Sequence, residues 1–149
     1  MCYSSSGLSN QYERVTVRRW LFARSDDTVE QKTILYAEDD EQVRNLVLIL
    51  LTAKGYNVLV AEDGAQALAK ALAFPGVITL LLSDVEMPNM TGVELAIQIN
   101  ATRPNIKVLL TSGLPSGLLV LNSGWQFLPK PFEGRMLMDR VRDAIGGDD

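Results

Sequence analysis

The sequence predicts an α/β domain: a parallel sheet with helices on both faces. Three observations carry this. From Lys32 onward, short runs that are apolar at nearly every position recur along the chain, as strands buried on both faces do. Amphipathic helical stretches separate these runs, the alternation that βαβ units require. The chemically distinctive residues Glu38, Asp39, Asp84, Thr111 and Lys130 each fall at the end of such a run, where open α/β sheets gather function.

Taken in order, Thr33 to Ala37 is a short apolar run closing on three acids, as a buried first strand would. Asp40 can N-cap a helix reaching Lys54, with Val43, Leu46, Val47, Leu50 and Leu51 on one stripe and Gly55 just past its end. Asn57 to Ala61 forms the second strand. Ala65 to Ala73 is alanine-rich and helical, stopped by Pro75-Gly76. Ile78 to Ser83, the most apolar strand, ends at Asp84. Gly92 to Asn100 is a helix expected to turn Val93, Ala96 and Ile97 inward. Lys107 to Thr111 and Gln126 to Leu128 are the fourth and fifth strands. Phe132 to Ile145 is the last helix, with Leu137, Val141, Ala144 and Ile145 on one face.

Residues 1–31 differ from the rest. They hold Ser4-Ser5-Ser6-Gly7 and a basic-aromatic patch of Arg14, Arg18, Arg19, Trp20, Phe22 and Arg24. A disordered extension, with one transient strand around Val15 to Val17, is the favoured reading over a docking arm built on Trp20 and the arginines. Four acids there cancel four bases, so residues 32–149 carry the whole net charge of −4.

The chain has 149 residues, no histidine and one cysteine, Cys2. This excludes Ser-His-Asp and Cys-His nucleophile pairs, histidine-ligated zinc and an internal disulfide. The mild acidity argues against direct nucleic-acid binding. The longest unbroken apolar run, Leu46 to Leu51, is far short of the ~20 residues a membrane span needs. Neither a secretory signal nor a myristoylation glycine is present at the start. A cytoplasmic location is expected.

Glu38 and Asp39 follow the first strand and Asp84 the third. Neighbouring central strands lie ~5 Å apart, so the three carboxylates crowd one another. Such crowding raises their pKa values unless something positive sits among them, and a hard divalent ion such as Mg²⁺ suits a site of few carboxylates plus waters and a phosphate. An acidic first helical turn accounts for Asp40 and Glu41 without any metal. It leaves Asp84 unexplained, because Asp84 precedes a Met-Pro loop rather than a helix. Thr111 adds a hydroxyl and Lys130, held between Pro129 and Pro131, an ammonium. Carboxylate, metal site, hydroxyl and lysine together form a phosphoryl-transfer set.

The stretches Ile34-Leu35-Tyr36-Ala37-Glu38-Asp39-Asp40, Ser83-Asp84-Val85-Glu86-Met87-Pro88-Asn89-Met90-Thr91-Gly92, Leu110-Thr111-Ser112-Gly113 and Phe127-Leu128-Pro129-Lys130-Pro131-Phe132 resemble the receiver domains of two-component response regulators, of the single-domain chemotaxis-regulator type. The resemblance spans residues 32 to about 145. It implies a flavodoxin-like, doubly wound sheet of order 2-1-3-4-5. Asp84 is then the phosphoacceptor, and Mg²⁺ is held by Glu38, Asp39, Asp84 and the backbone carbonyl of Glu86. Thr111 and Lys130 bind the phosphoryl group, Thr111 and Phe127 form the switch, and the peptide bond before Pro131 is cis.

There are departures from that pattern. Glu38 stands where aspartate is more frequent, and Phe127 lacks a tyrosine hydroxyl. Pro129 removes a strand N–H, which an edge strand tolerates. Only Leu114 to Gly124 remain for the fourth helix of the pattern and its loops, so that helix is expected to be short. No charge occurs from Val108 to Pro129. Leu118 to Leu121 cannot all face inward on one short helix, which suggests an apolar output surface between Leu114 and Phe127, for a protein partner or a twin subunit. Leu119→Glu and Val120→Glu would test it.

The leading expectation is a signalling domain that takes a phosphoryl group from a partner histidine kinase or phosphotransfer protein. It catalyses only its own phosphorylation and dephosphorylation. With no histidine, the chain cannot be its own phosphohistidine donor. Only the polar end Gly146 to Asp149 follows the last helix, so output is expected by docking. The alternatives are an aspartyl-phosphate phosphohydrolase, for which Glu86 is the only acid-base candidate, and a non-phosphorylated interaction module.

Overall fold

Each apolar run divides by parity between two cores. In the computed structural model, which describes residues 31–114 and 124–146, Ile34 and Tyr36 point to one side of the sheet while Leu35 and Ala37 point to the other. The same alternation sends Leu80 and Leu82 one way and Leu81 the other, as the period of a strand demands. The strands are β1 (Thr33–Ala37), β2 (Asn57–Ala61), β3 (Leu80–Asp84), β4 (Lys107–Ser112) and β5 (Gln126–Pro129). The described helices are α1 (Glu41–Ala53), α2 (Gly64–Ala73), α3 (Gly92–Thr102) and α4 (Gly134–Ile145). Helices α1 and α4 cover one face through Val47, Leu51, Leu137 and Val141, and α2 and α3 cover the other through Ala67, Ala71, Leu95 and Ile99.

Every pairing is parallel and the order is β2-β1-β3-β4-β5. The sheet is the doubly wound one expected. Its winding reverses between β1 and β3, which opens a crevice at their carboxyl ends. At the edge, among the described residues, β5 pairs only with β4, so the missing N–H of Pro129 interrupts no second ladder there.

Local chemistry starts and stops the helices. The Asp40 carboxylate accepts hydrogen bonds from the amides of Gln42 at 2.9 Å and Val43 at 3.1 Å, capping α1. Thr91 and Glu94 form a reciprocal capping box at the start of α3. At the far end of α2 the Arg103 guanidinium donates to the carbonyls of Ala71, Phe74 and Gly76 at 2.8–2.9 Å.

Several expectations change. Ile97 is 55% exposed, and α3 turns Leu95, Ala96 and Ile99 inward instead. Ile97 lies two residues from both Leu95 and Ile99, hence about 200° around the helix from each. Leu46 is 58% exposed because α4 does not reach over that part of α1. A groove of about 460 Å³ is left there, lined by Val43, Leu46 and Leu50 of α1 and by Lys130, Pro131 and Phe132. The last helix begins at Gly134, with Glu133 extended at the N-cap, rather than at Phe132. Helix α3 runs on to Thr102. The regular strand β3 starts at Leu80, although Ile78 is buried. The expectations for the tail at 1–30, for the short fourth helix and for Leu118 to Leu121 lie outside the described residues.

Candidate functional site

The reversal point between β1 and β3 brings the predicted acids together. Glu38, Asp39 and Asp84 each offer a carboxylate oxygen, and these oxygens lie within 4.8 Å of one another. Glu38 and Asp84 are buried and Asp39 is exposed. Glu38 immediately follows β1, its amide donating to the Ala61 carbonyl at 3.1 Å. Its Oε2 accepts from the Asp40 amide at 3.2 Å, and Arg44 Nη1 donates to its carbonyl at 3.0 Å. The extra methylene of glutamate therefore does not take it out of the cluster.

Lys130 enters from the end of β5. Its amide donates to the Ser112 carbonyl at 2.8 Å, and the peptide bond to Pro131 is cis. Its ammonium stands 3.3 Å from Glu38 Oε1 and 3.3 Å from Asp84 Oδ2, bridging the two strands. The second oxygen of Asp84, Oδ1, is buried and has no hydrogen-bond partner among the described residues. Thr111 lies directly across from Asp84 in the β3–β4 register, and its carbonyl accepts from the Val85 amide at 2.8 Å. Phe127 pairs with Leu110 and is half-buried on the α2–α3 side of the sheet. The structure thus brings Glu38, Asp39, Asp84 and Lys130 into one site with Thr111 alongside, and sets Phe127 one strand further out.

The electrostatics follow from this crowding. Burial pushes the Asp84 carboxyl up to about 6, the neighbouring Glu38 adds to the rise, and Lys130 pulls it partly back. Burial also raises Glu38, against the opposing pull of the Asp40 amide and Lys130. For Lys130, burial acts to lower its pKa, but the Asp84 and Glu38 carboxylates outweigh it and hold the ammonium charged. A buried carboxylate oxygen with no partner, among other oxygen donors, fits a hard divalent cation.

Three supporting groups were not singled out from the sequence. Ser83 Oγ donates to the Asp84 carbonyl at 2.9 Å, Arg44 reaches back to Glu38, and Ser112 Oγ donates to Glu86 Oε2. A serine at the buried end of an apolar strand was the available signal for Ser83. The other two depend on loop geometry. Gly92 gains a physical reason: its amide donates to the Val85 carbonyl at 2.9 Å, and a Cβ there would run into the carbonyl oxygen of Asp84. Gly92→Ala is expected to cost about 2 kcal/mol through this overpacking. Urea unfolding should show a lower midpoint at unchanged slope, and an unchanged midpoint would refute the close approach.

Comparison with known proteins agrees with the geometry. Residues 34–142 match the family model described as the response regulator receiver domain. The chain is 33% identical over 118 residues to the response regulator receiver protein CpdR of Brucella abortus, covering 76% of this chain and 97% of that protein. It is also 31% identical over 130 residues to the sensor kinase CckA of the same organism, covering 85% of this chain. With the transcriptional regulatory protein CpxR of Klebsiella pneumoniae it shares 38% identity over 115 residues, 75% of this chain. The chain spans 14% of that sensor kinase and 48% of that regulator. Among solved structures, it is similar to a CheY-like receiver domain protein from Methanospirillum hungatei. The TM-score is 0.70 at 28% identity, over 78% of this chain and 94% of that one. The receiver domain of the hybrid histidine kinase CckA gives a TM-score of 0.62 at 35% identity, over 76% and 98%. The chain belongs to the response regulator receiver domain family of two-component signalling.

Proposed function

We propose that the chain takes a phosphoryl group from a phosphohistidine on a partner histidine kinase or phosphotransfer protein onto Asp84, and that the acyl phosphate switches a docking surface. The observation that carries this reading is Asp84 itself, buried, with one oxygen held by Lys130 and the other without a partner among the described residues. An Asp84 oxygen bonds to phosphorus as the donor nitrogen leaves. Lys130 steadies the charge gathering on the phosphoryl oxygens, and the Thr111 hydroxyl lies within the same strand pair to receive one of them. Glu38, Asp39, Asp84 and the Glu86 carbonyl would hold Mg²⁺. When bound, the ion supplies positive charge that lets the carboxylates and a phosphoryl group share the site.

Lys130 is among the residues that line the apolar groove between α1 and the Lys130–Phe132 segment. A helix carrying the phosphohistidine can seat there and present its ring to Asp84. Output passes through the region Leu114 to Phe127 to a protein partner or a second copy, with Thr111 and Phe127 as the coupled pair. The acyl phosphate can bias this surface only by as much as its contacts differ between the two states. The chain works in the cytoplasm, without direct nucleic-acid binding or membrane insertion. Among the described residues, no helix is long and apolar enough to cross a membrane. It is a switch rather than a turnover enzyme.

Incubation with acetyl phosphate and Mg²⁺, followed by intact mass, tests this. The expected product is about 80 Da heavier, does not form when EDTA replaces Mg²⁺, and is missing from Asp84→Ala. Rapid multiple turnover without a stable adduct would favour a phosphohydrolase. No adduct with any donor would leave an unphosphorylated interaction module.

A further inference from the structure

We propose that the outer edge of β2 pairs with the same edge of a second copy of this chain, antiparallel about Leu59, joining two sheets into one. The two edges of the sheet are built differently. At β5, Pro129 offers no N–H and Arg140 Nη1 donates to the Phe127 carbonyl at 2.7 Å. These are devices that keep an edge from pairing. At the opposite edge, β2 reads Asn57-Val58-Leu59-Val60-Ala61, with no charge, proline or glycine. The Asn57 amide donates to the Lys32 carbonyl, and the Ala61 carbonyl accepts from the Glu38 amide. Alternation along the strand therefore turns residues 57, 59 and 61 toward β1, and the N–H and C=O of Val58 and Val60 outward. Among the described residues no strand pairs with that side. Past the strand, the Gln66 side chain accepts from the Glu62 amide at 3.0 Å, so the open stretch is Val58 to Val60.

A second copy is the occupant this stretch fits. With a two-fold axis at Leu59, Val58 of each copy faces Val60 of the other, and each such pair exchanges two N–H···O=C bonds. Leu59 faces its own equivalent in the non-hydrogen-bonded position between them. A register centred on Val60 would instead set Val58 against Glu62, whose amide Gln66 already holds. One centred on Val58 would carry Val60 past the start of the strand, to Tyr56. The charges at the strand ends agree with the antiparallel pairing. Exposed Lys54 precedes β2, and exposed Glu62, followed by Asp63, succeeds it. The basic end of each strand therefore meets the acidic end of the other, whereas a parallel pairing would oppose like charges. Val58 and Val60 also continue the apolar face under α1 and α4, and Leu59 the one under α2 and α3, so like faces of the two copies adjoin.

Cross-linking tests the register. In a Cys2→Ser background, Val58→Cys, Leu59→Cys and Val60→Cys are oxidised at equal concentration. Leu59→Cys is expected to form a disulfide-linked dimer about tenfold faster than either neighbour. Facing non-hydrogen-bonded positions set Cα atoms ~4.5 Å apart, within disulfide reach, while positions 58 and 60 do not face their own equivalents. Mixed Val58→Cys and Val60→Cys should link faster than either alone. Sedimentation equilibrium of the parent up to about 1 mM should show a reversible dimer. Lys54→Glu should weaken it about tenfold at low salt, and Lys54→Glu combined with Glu62→Lys should restore it. A monomer throughout, equal cross-linking at all three positions, or a dimer indifferent to the charge variants would each overturn the proposal.

Discussion

Asp84→Asn is expected to unfold at a higher urea concentration than the parent at pH 8 in EDTA, by about 3 kcal/mol, and to match it near pH 4. The physical reason is the crowding of two buried carboxylates. The Asp84 carboxyl is pushed up to about 6 in the folded chain from 3.8. Below about pH 4 both folded and unfolded states hold the proton, and the site costs nothing. Between there and about pH 6 the folded state keeps a proton that the unfolded state has released, so stability falls as pH rises. Above pH 6 both states are ionised and the penalty is complete. Asparagine mimics the neutral acid in shape and never incurs it. Urea titrations at pH 4.5, 6 and 8 give the curve directly. A less stable Asp84→Asn protein at pH 8 would show that Lys130 already neutralises the pair. Millimolar Mg²⁺ should stabilise the parent and narrow the gap, because the ion meets the same surplus of negative charge.

Lys130→Met is expected to act in the opposite sense and with comparable size. The ammonium is the cation between Glu38 and Asp84, 3.3 Å from each. Without it the carboxylates face each other. Breaking a fully buried pair costs several kcal/mol, and because Lys130 keeps about a quarter of its side chain exposed, roughly 2–3 kcal/mol is expected at pH 8. At pH 5 one carboxylate can take a proton instead, so the loss should shrink. In the Asp84→Asn background the loss should be smaller at pH 8, because only Glu38 is then left without its cation. A loss that is equal at both pH values would mean that Lys130 contributes through the packing of its stem alone. Phosphorylation by acetyl phosphate should slow by about 10²-fold, the usual consequence of removing one group that stabilises the developing charge.

How far the sequence could be read depended on the range of the interaction involved. Strand identity was legible because parity is local: Thr33 to Ala37 and Leu80 to Leu82 need both faces buried, and the apolar runs say so. The start of the first helix was legible for the same reason, since Asp40 caps amides two or three residues away; the start of the last was not, because Glu133 caps it without a side-chain hydrogen bond. Ile97 was misread because a mostly apolar helix does not announce which side meets the sheet. Leu46 was misread because its exposure depends on where α4 crosses, 90 residues later. The site acids were legible from their positions at strand ends, and the Met-Pro loop and the Pro-flanked lysine supplied the rest of the pattern. Ser112 was not singled out because its partner, Glu86, comes from a different loop.

Composition and order along the chain alone determined the absence of histidine chemistry, the parallel α/β class, the acids at the strand ends and the lysine between prolines. These follow from covalent sequence and short-range physics. Tertiary structure decided three things. One was that a single ammonium serves both Glu38 and Asp84, leaving one Asp84 oxygen without a partner among the described residues. Another was that the groove beside Lys130 stays open. The last was that Glu86 is tied to Ser112. Each depends on where strands of distant sequence come to lie within a few ångströms, and that is set by the order and register of the sheet.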